Sequence, residues 1–287
     1  MKQLSPPKNP FFRAAYLLVR RFLRHNVGAQ SAALAFYLLF MLFPFLIFIS
    51  ALLGMLHLDV AGILAALAEF LPVEVVDFVE VYLTYVGSQP SPQLMLFGLV
   101  FSVYFPMRAT NALMRSVRTA YHLGPAHGVV QALKTLLYTV LLIAAIALTL
   151  VLMSVSDRIL AYCVANFGLP AFIAELWALL RFPVAAVVGY FALFFLYALA
   201  QDSRQPWRNI WPGTLAALAG WLCRSWLYAW YVEHIAHYSL LYGSIGTVIV
   251  LLIWLNLSAT TLIMGAELNG TLISLRKEMR LTRENSN

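Results

Sequence analysis

Long runs of apolar residues alternate with short polar segments along the whole chain. Six runs are long enough to cross a membrane, since roughly 18 or more consecutive apolar residues form a helix about 30 Å long. The six predicted spans cover residues 29–56, 94–113, 133–155, 176–200, 212–232 and 242–273. The second span carries Pro106 and Arg108 near its end, so we expect it to be kinked and to continue into a cytoplasmic helix.

The composition strengthens this interpretation. Hydrophobic residues make up 62% of the chain and charged residues only 11%, which is far from the range of soluble globular proteins. We therefore predict an all-α fold, a polytopic membrane helix bundle with six transmembrane helices and additional interfacial amphipathic helices.

The positions of Lys and Arg predict the orientation in the membrane. These residues cluster before the first span and after the second, fourth and sixth spans, whereas the other three connections are nearly free of them. Because cytoplasmic loops carry the excess of Lys and Arg, both termini are expected in the cytoplasm. The net charge of +7 then indicates attraction to anionic lipid headgroups, and we expect no nucleic-acid partner.

The same pattern divides the chain into three parts. Residues 1–28 form a basic cytoplasmic segment with an interfacial helix over 10–26, residues 29–273 form the membrane domain, and residues 274–287 form a basic tail. An acidic amphipathic segment at about 57–93 is expected on the outer side. It either caps an outward-facing cavity or lies at the headgroups, and the sequence leaves both open.

The sequence contains no motif that is typical of an enzyme active site. Cys163 and Cys223 are too few for a metal site, and His234 and His237 beside Glu233 fit ordinary interfacial histidines better than metal ligands. We predict no catalytic residues, no bound metal and no cofactor, and the oligomeric state cannot be read from the sequence.

Charged residues inside the spans are the informative ones. Each costs on the order of 3 kcal/mol at the bilayer centre, so such residues usually face the bundle interior and have a partner. Arg224 lies near the middle of the fifth span, and Glu267 lies towards the cytoplasmic end of the sixth. We predict that the two form a substrate or proton site. Arg181 of the fourth span either is an accessory residue of this site or simply extends to the outer headgroups, and the second account is favoured.

The sixth span adds a polar stripe to this site. Asn256, Thr260, Glu267 and Thr271 fall on one face of a helix, and Asn269 lies beside them. One interpretation is a solvated path or ligand cavity that includes Asn256, Thr260 and Asn269. The other is close helix packing through hydrogen bonds and small residues, such as Gly213 with Ala217 and Ala266 with Gly270.

Three stretches carry a more specific pattern: AALAFYLLFMLFP at 32–44, WPG at 211–213, and 242–269 with YGSIG at its start and GAELN at its end. They resemble the YihY / virulence factor BrkB family of bacterial inner-membrane proteins over roughly residues 11–275. The resemblance implies a six-helix membrane protein. Members have carried the older label ribonuclease BN and have been discussed as transporters or in envelope lipid handling. This chain has Leu38 and Met41 where many members have Thr and Ser, so a role of those hydroxyls does not transfer.

Two classes of function follow. In the first, the protein is a transporter or handles envelope lipids, and Arg224 and Glu267 form a charged switch for an anionic small molecule, a lipid or a proton. In the second, it is a scaffold that positions other envelope components and uses these charges only to fix helix packing. Ribonuclease activity is not expected, because the cytoplasmic segments offer no cluster of carboxylates or histidines with metal-ligand spacing.

Overall fold

The structure is a computed structural model that describes residues 10–56, 80–81, 92–124, 128–154, 172–201, 206–234 and 244–284. These ranges contain α-helices, one short 3-10 helix at Trp207–Asn209 and no strand. The seven α-helices in these ranges are α1 (Pro10–Arg24), α2 (Val27–Leu56), α3 (Pro92–Ala120), α4 (Val129–Ser154), α5 (Phe172–Leu199), α6 (Trp211–His234) and α7 (Ser244–Glu284). The predicted all-α fold class is confirmed.

Four of these helices contain segments that are long and apolar enough to cross a membrane: Val27–Phe48, Val129–Ile146, Phe182–Leu199 and Val248–Met279. The second and fifth predicted spans fall in α3 and α6, which are 29 and 24 residues long. Both helices are long enough to span but carry arginine, which lowers their hydropathy. The chain therefore has several helices of the membrane-spanning type, and the count of six stays a prediction.

The ends of the first helices have simple local causes. Asn26 has a positive φ of 53° and separates α1 from α2, and His122 has a positive φ of 56° just after α3. A left-handed residue cannot continue an α-helix, and Asn is among the residues that adopt this conformation most readily. The interfacial helix expected over 10–26 thus corresponds to α1, whereas the outer acidic segment at 57–93 lies almost entirely outside the described residues.

The chain divides into two compact units. The first unit takes in Met1–Arg20, Val117–Ala219 and Met264–Asn287, and the second takes in Arg21–Ser116 and Gly220–Ile263. The boundaries fall inside α1, α3, α6 and α7, so these helices contribute residues to both units. The predicted division at residue 28 and residue 273 concerns the membrane, and no structural feature tests it.

In the first unit, α4 packs against α5, and the hydroxyl of Tyr138 donates a hydrogen bond to the carbonyl oxygen of Ala192 at 3.2 Å. The C-terminal part of α7, which is expected on the cytoplasmic side, contacts α1 through an ion pair between Arg13 and Glu278 at 2.5 Å. In the parts of α6 and α7 that belong to the first unit, the two backbones approach closely at Gly213 and Gly265, where a Cβ atom would clash.

In the second unit, α2 and α3 run antiparallel in contact. The backbone of Phe48 lies so close to Gly98 that a Cβ atom there would be 2.6 Å from its nitrogen, and the rings of Phe40 and Phe105 are 5.9 Å apart. A small apolar core joins α2 to α7 through Ala35, Leu39 and Leu255.

Candidate functional site

Arg224, the predicted centre of the site, lies in the second unit and is held by α7. Its Nη1 donates to the carbonyl oxygen of Leu257 at 3.0 Å and to Oγ1 of Thr261 at 2.8 Å. The side chain is nevertheless exposed. Among the described residues, its Nε and Nη2 form no hydrogen bond, so the guanidinium is anchored through Nη1 alone.

Two further hydrogen bonds flank this arginine and fix which face of α6 meets α7. Trp221 Nε1 donates to Oγ of Ser258 at 3.0 Å, and the hydroxyl of Tyr228 donates to the carbonyl oxygen of Val250 at 2.6 Å. Because Trp221, Arg224 and Tyr228 are three and four residues apart, they lie on one helix face. Trp221, Arg224 and Tyr228 thus bond to α7 at successive positions along the two helices. We call this series of interhelical hydrogen bonds the α6 ladder, and Arg224 lies in its middle.

The polar stripe predicted on α7 is partly satisfied within the helix itself. Thr260 Oγ1 donates to the carbonyl oxygen of Asn256 at 2.8 Å, and Thr271 Oγ1 donates to that of Glu267 at 2.8 Å. Asn256 and Thr260 are half-buried in the second unit, whereas Glu267 and Thr271 are fully buried in the first. Threonine hydroxyls in apolar helices commonly bond to the carbonyl four residues earlier, which fits a structural role for the hydroxyls.

Asn269 joins α7 to the start of α6 in the first unit. Its Oδ1 accepts a hydrogen bond from the backbone N–H of Gly213 at 2.7 Å, and its Nδ2 donates to the carbonyl oxygen of Ile210 at 2.7 Å. The first N–H groups of a helix have no partner within that helix, so the amide caps α6 from a neighbouring helix. This geometry favours a structural role for Asn269, which the sequence grouped with the substrate or proton site.

Tyr121 lies beside this cap in the first unit. Burial raises the pKa of its hydroxyl above the usual value, an effect that the nearby amides of Asn269 and Gln201 partly offset. Gln201 is itself buried and donates through Nε2 to the carbonyl oxygen of Tyr197 at 2.7 Å. The hydroxyl of Tyr121 therefore stays protonated at cellular pH, within a group of buried neutral polar side chains.

A buried arginine lies in the same unit as these neutral side chains. Arg118 is 4% exposed, and its Nε and Nη2 donate to the carbonyl oxygen of Gly124 at 2.9 and 2.7 Å. Its Nη1 donates to the carbonyl oxygen of Ala200 at 3.1 Å. Arg118 thus ties the end of α3 to the end of α5, and its donors stabilise backbone carbonyls that the helix ends leave without partners.

The structure therefore gives the contacts of some predicted site residues and not of others. The structure brings Arg224 to Leu257 and Thr261, and Asn269 to Gly213. Arg224 and Glu267 belong to different units, so their pairing stays a prediction. Arg181 lies in α5, but its side chain lies outside the described part of the chain.

Two residues were missed by the sequence interpretation. Thr261 is adjacent to Thr260 in sequence, and only its hydrogen bond with Arg224 shows that it faces α6. Arg118 was counted only among the cytoplasmic cations that follow the second span, although its side chain is buried. Within the described ranges, no three His, Cys, Asp or Glu residues come together as a metal site would require.

Comparison with known families covers nearly the whole chain. The sequence model of a family described as Virulence factor BrkB matches residues 18–286. A protein of Bacillus subtilis (strain 168) called "Putative ribonuclease-like protein YfkH" is 30% identical over 269 residues, which are 93% of this chain and 97% of that protein.

Other relatives match over shorter stretches. A UPF0761 membrane protein of Alkalilimnicola ehrlichii is 31% identical over 182 residues, which are 62% of this chain and 39% of that protein. The UPF0761 membrane protein PSHAa0171 of Pseudoalteromonas translucida is 31% identical over 104 residues, or 36% of this chain and 33% of that protein. The chain thus spans less than half the length of these two relatives. No solved structure matches it.

Proposed function

Because the chain belongs to the Virulence factor BrkB family of membrane proteins, we propose that it moves an anionic lipid across the bacterial inner membrane and that Arg224 binds the lipid's charged group. The proposal includes an orientation with both termini in the cytoplasm. It also treats the protein as a non-enzyme. The ribonuclease-like name belongs to the Bacillus relative and is itself only a provisional label.

The observation that carries the proposal is the geometry of Arg224. By rise per residue it lies roughly 20 Å from the start of α6 and roughly 15 Å from its end, so it is deep in the helix. A cation at such depth costs on the order of 3 kcal/mol unless it has a partner. Nη1 has neutral partners on α7, and Nε and Nη2, which share one edge of the guanidinium, have the geometry to bind a carboxylate or phosphate through two hydrogen bonds.

Release of the bound anion requires a competing interaction. Glu267 is the single acidic residue in the six predicted spans, and it is fully buried. In our proposal Glu267 takes up a proton during this step. An ionisable residue inside a predicted membrane span usually marks a functional position, which supports this role.

The scaffold alternative draws support from a different observation. The amide of Asn269 is used for capping, and the close approach at Gly213 and Gly265 is a packing device. If all the intramembrane polar groups act in this way, their substitution lowers the amount of folded protein rather than a transport rate.

The test is transbilayer movement of a fluorescent phosphatidylglycerol in vesicles that contain the purified full chain. Dithionite quenches the probe in the outer leaflet, so the extent of quenching reports movement. We expect faster movement than in protein-free vesicles, a loss of this acceleration in Arg224→Gln, and partial retention in Arg224→Lys. Arg208→Gln, which makes the same charge change at an exposed residue before α6, is the matched control and is expected to move lipid like the unaltered protein.

A second variant separates the two functions. Glu267→Gln is expected to abolish movement while the amount of monodisperse protein stays the same. Movement at the protein-free rate with the unaltered chain would contradict the proposal, as would equal rates for Arg224→Gln and Arg208→Gln. A lower yield of folded protein in all the intramembrane variants would favour the scaffold.

A further inference from the structure

A second exposed arginine lies in the second unit, away from the α6 ladder, and it is held between two tyrosines. Nη2 of Arg108 on α3 donates to the hydroxyl of Tyr37 on α2 at 3.3 Å. Its guanidinium carbon lies 5.5 Å from the centroid of the Tyr37 ring and 6.0 Å from that of Tyr104. Cation–π contacts at these distances favour one placement of the guanidinium, between the two rings.

Arg108 also ends an apolar stripe on the surface of α3. Phe97, Val100, Tyr104 and Arg108 follow one another at spacings of three and four residues, and all four are exposed. Residues at this spacing lie on one face of a helix. We call these four residues the α3 stripe.

The α3 stripe presents an apolar surface to an acyl chain. From Phe97 to Arg108 the helix rises about 16 Å, and the stripe begins at Arg108, inside the roughly 30 Å hydrocarbon core. Arg108 lies five residues before residue 113, the predicted cytoplasmic end of the span, or about 8 Å from it. A long arginine side chain extends over such a distance to reach the headgroups.

The charges identify the kind of molecule that fits this surface. The sequences of α2 and α3 contain no Asp or Glu, and in the described part of the chain Nε and Nη1 of Arg108 form no hydrogen bond. A second copy of the chain would have to provide a carboxylate, but Glu267, the acidic residue of the predicted spans, is fully buried. A phospholipid provides both an apolar chain and a phosphate.

We infer that the α3 stripe binds one anionic phospholipid of the inner leaflet, with its phosphate on Arg108 and an acyl chain along Tyr104, Val100 and Phe97. Basic sites beside membrane helices on the cytoplasmic side are known to take anionic headgroups. The assignment to the inner leaflet rests on the orientation proposed above, whereas binding at Arg108 does not require lipid movement through Arg224.

The test is native mass spectrometry of the full chain after exchange into lipid bilayer discs of phosphatidylglycerol and phosphatidylethanolamine in equal amounts. We expect one retained phosphatidylglycerol per chain. Arg108→Gln should lower its occupancy about tenfold, the fold-change of one charge-assisted hydrogen bond. Arg115→Gln, on the same helix two turns further, is the control and should retain the lipid.

Three results would overturn the inference: equal retention of the two lipids by the unaltered chain, equal loss in both arginine variants, or a dimer in place of the lipid adduct. If Arg108→Gln fails to fold, Val100→Trp keeps the cation and obstructs the exposed stripe. It should then lower phosphatidylglycerol retention, and unchanged retention would contradict the inference.

Discussion

Substitution of Gly213 by alanine tests the packing of α6 on α7 in the first unit. An added methyl group would lie 2.5 Å from Cγ and 2.6 Å from Oδ1 of Asn269, and still closer to the carbonyl oxygen of Gly265. Two of these obstacles belong to the side chain that caps α6, and the third is backbone. The clash therefore cannot be relieved by rotation of a flexible side chain.

The magnitude follows from two losses. Overpacking of this kind costs about 1–3 kcal/mol. Displacement of Asn269 also breaks its hydrogen bond with the N–H of Gly213, for about 1 kcal/mol more. The gain in helix propensity from glycine to alanine offsets at most about 1 kcal/mol. We therefore expect Gly213→Ala to lower the free energy of unfolding by about 1–3 kcal/mol.

Two other helix glycines are controls for the same change. At Gly189 the nearest atom to an added methyl group is Cδ1 of Leu218 at 3.7 Å, an ordinary contact, and at Gly220 it is Cγ2 of Thr261 at 3.2 Å. Gly189→Ala should be neutral or stabilising, and Gly220→Ala should fall between the other two. Unfolding in mixed micelles by denaturing detergent, followed by circular dichroism, gives the comparison. A Gly213→Ala variant as stable as Gly189→Ala would refute the reasoning.

Three further predictions use the same unfolding measurement. Asn269→Ala should cost about 1–3 kcal/mol, because it leaves the N–H of Gly213 buried without a partner; no loss would argue against the cap. Arg118→Met should destabilise by at least about 2 kcal/mol, since two carbonyl oxygens lose a charged donor, and neutrality would show that the buried cation does not tie the helices. Arg13→Gln should change stability by less than about 1 kcal/mol, because its ion pair with Glu278 is exposed; a larger loss would mean that α1 depends on it.

The helical nature of the chain could be predicted because length and apolar composition dominate in a membrane. A run such as 133–155 leaves few alternatives to a helix, since backbone groups in lipid must find partners within their own segment. The pattern located α2, α4 and α7 closely. It placed the end of the sixth span at residue 273, although α7 continues to Glu284 as a single helix. Hydropathy changes at the membrane surface, but a helix need not end there.

Which polar groups meet was harder to predict. Helical periodicity placed Asn256 and Thr260 on one face but could not say which face meets α6, and so Thr261 was passed over. The role of Asn269 as a cap depends on a neighbouring helix start at Gly213, 56 positions earlier in sequence. Contacts between positions so far apart depend on tertiary packing, which local periodicity does not encode.

The account rests on α6 crossing the bilayer with Arg224 at depth, and a spin label on Cys223 measures this most directly. Cys223 is a free, exposed cysteine next to Arg224, so Cys163→Ser leaves a single labelling site. In lipid vesicles, we predict that relaxation of the label is enhanced strongly by oxygen and weakly by a water-soluble nickel chelate, as for a site in the hydrocarbon core. Stronger relaxation by the nickel chelate than by oxygen would place Cys223 in water and contradict the proposed intramembrane site.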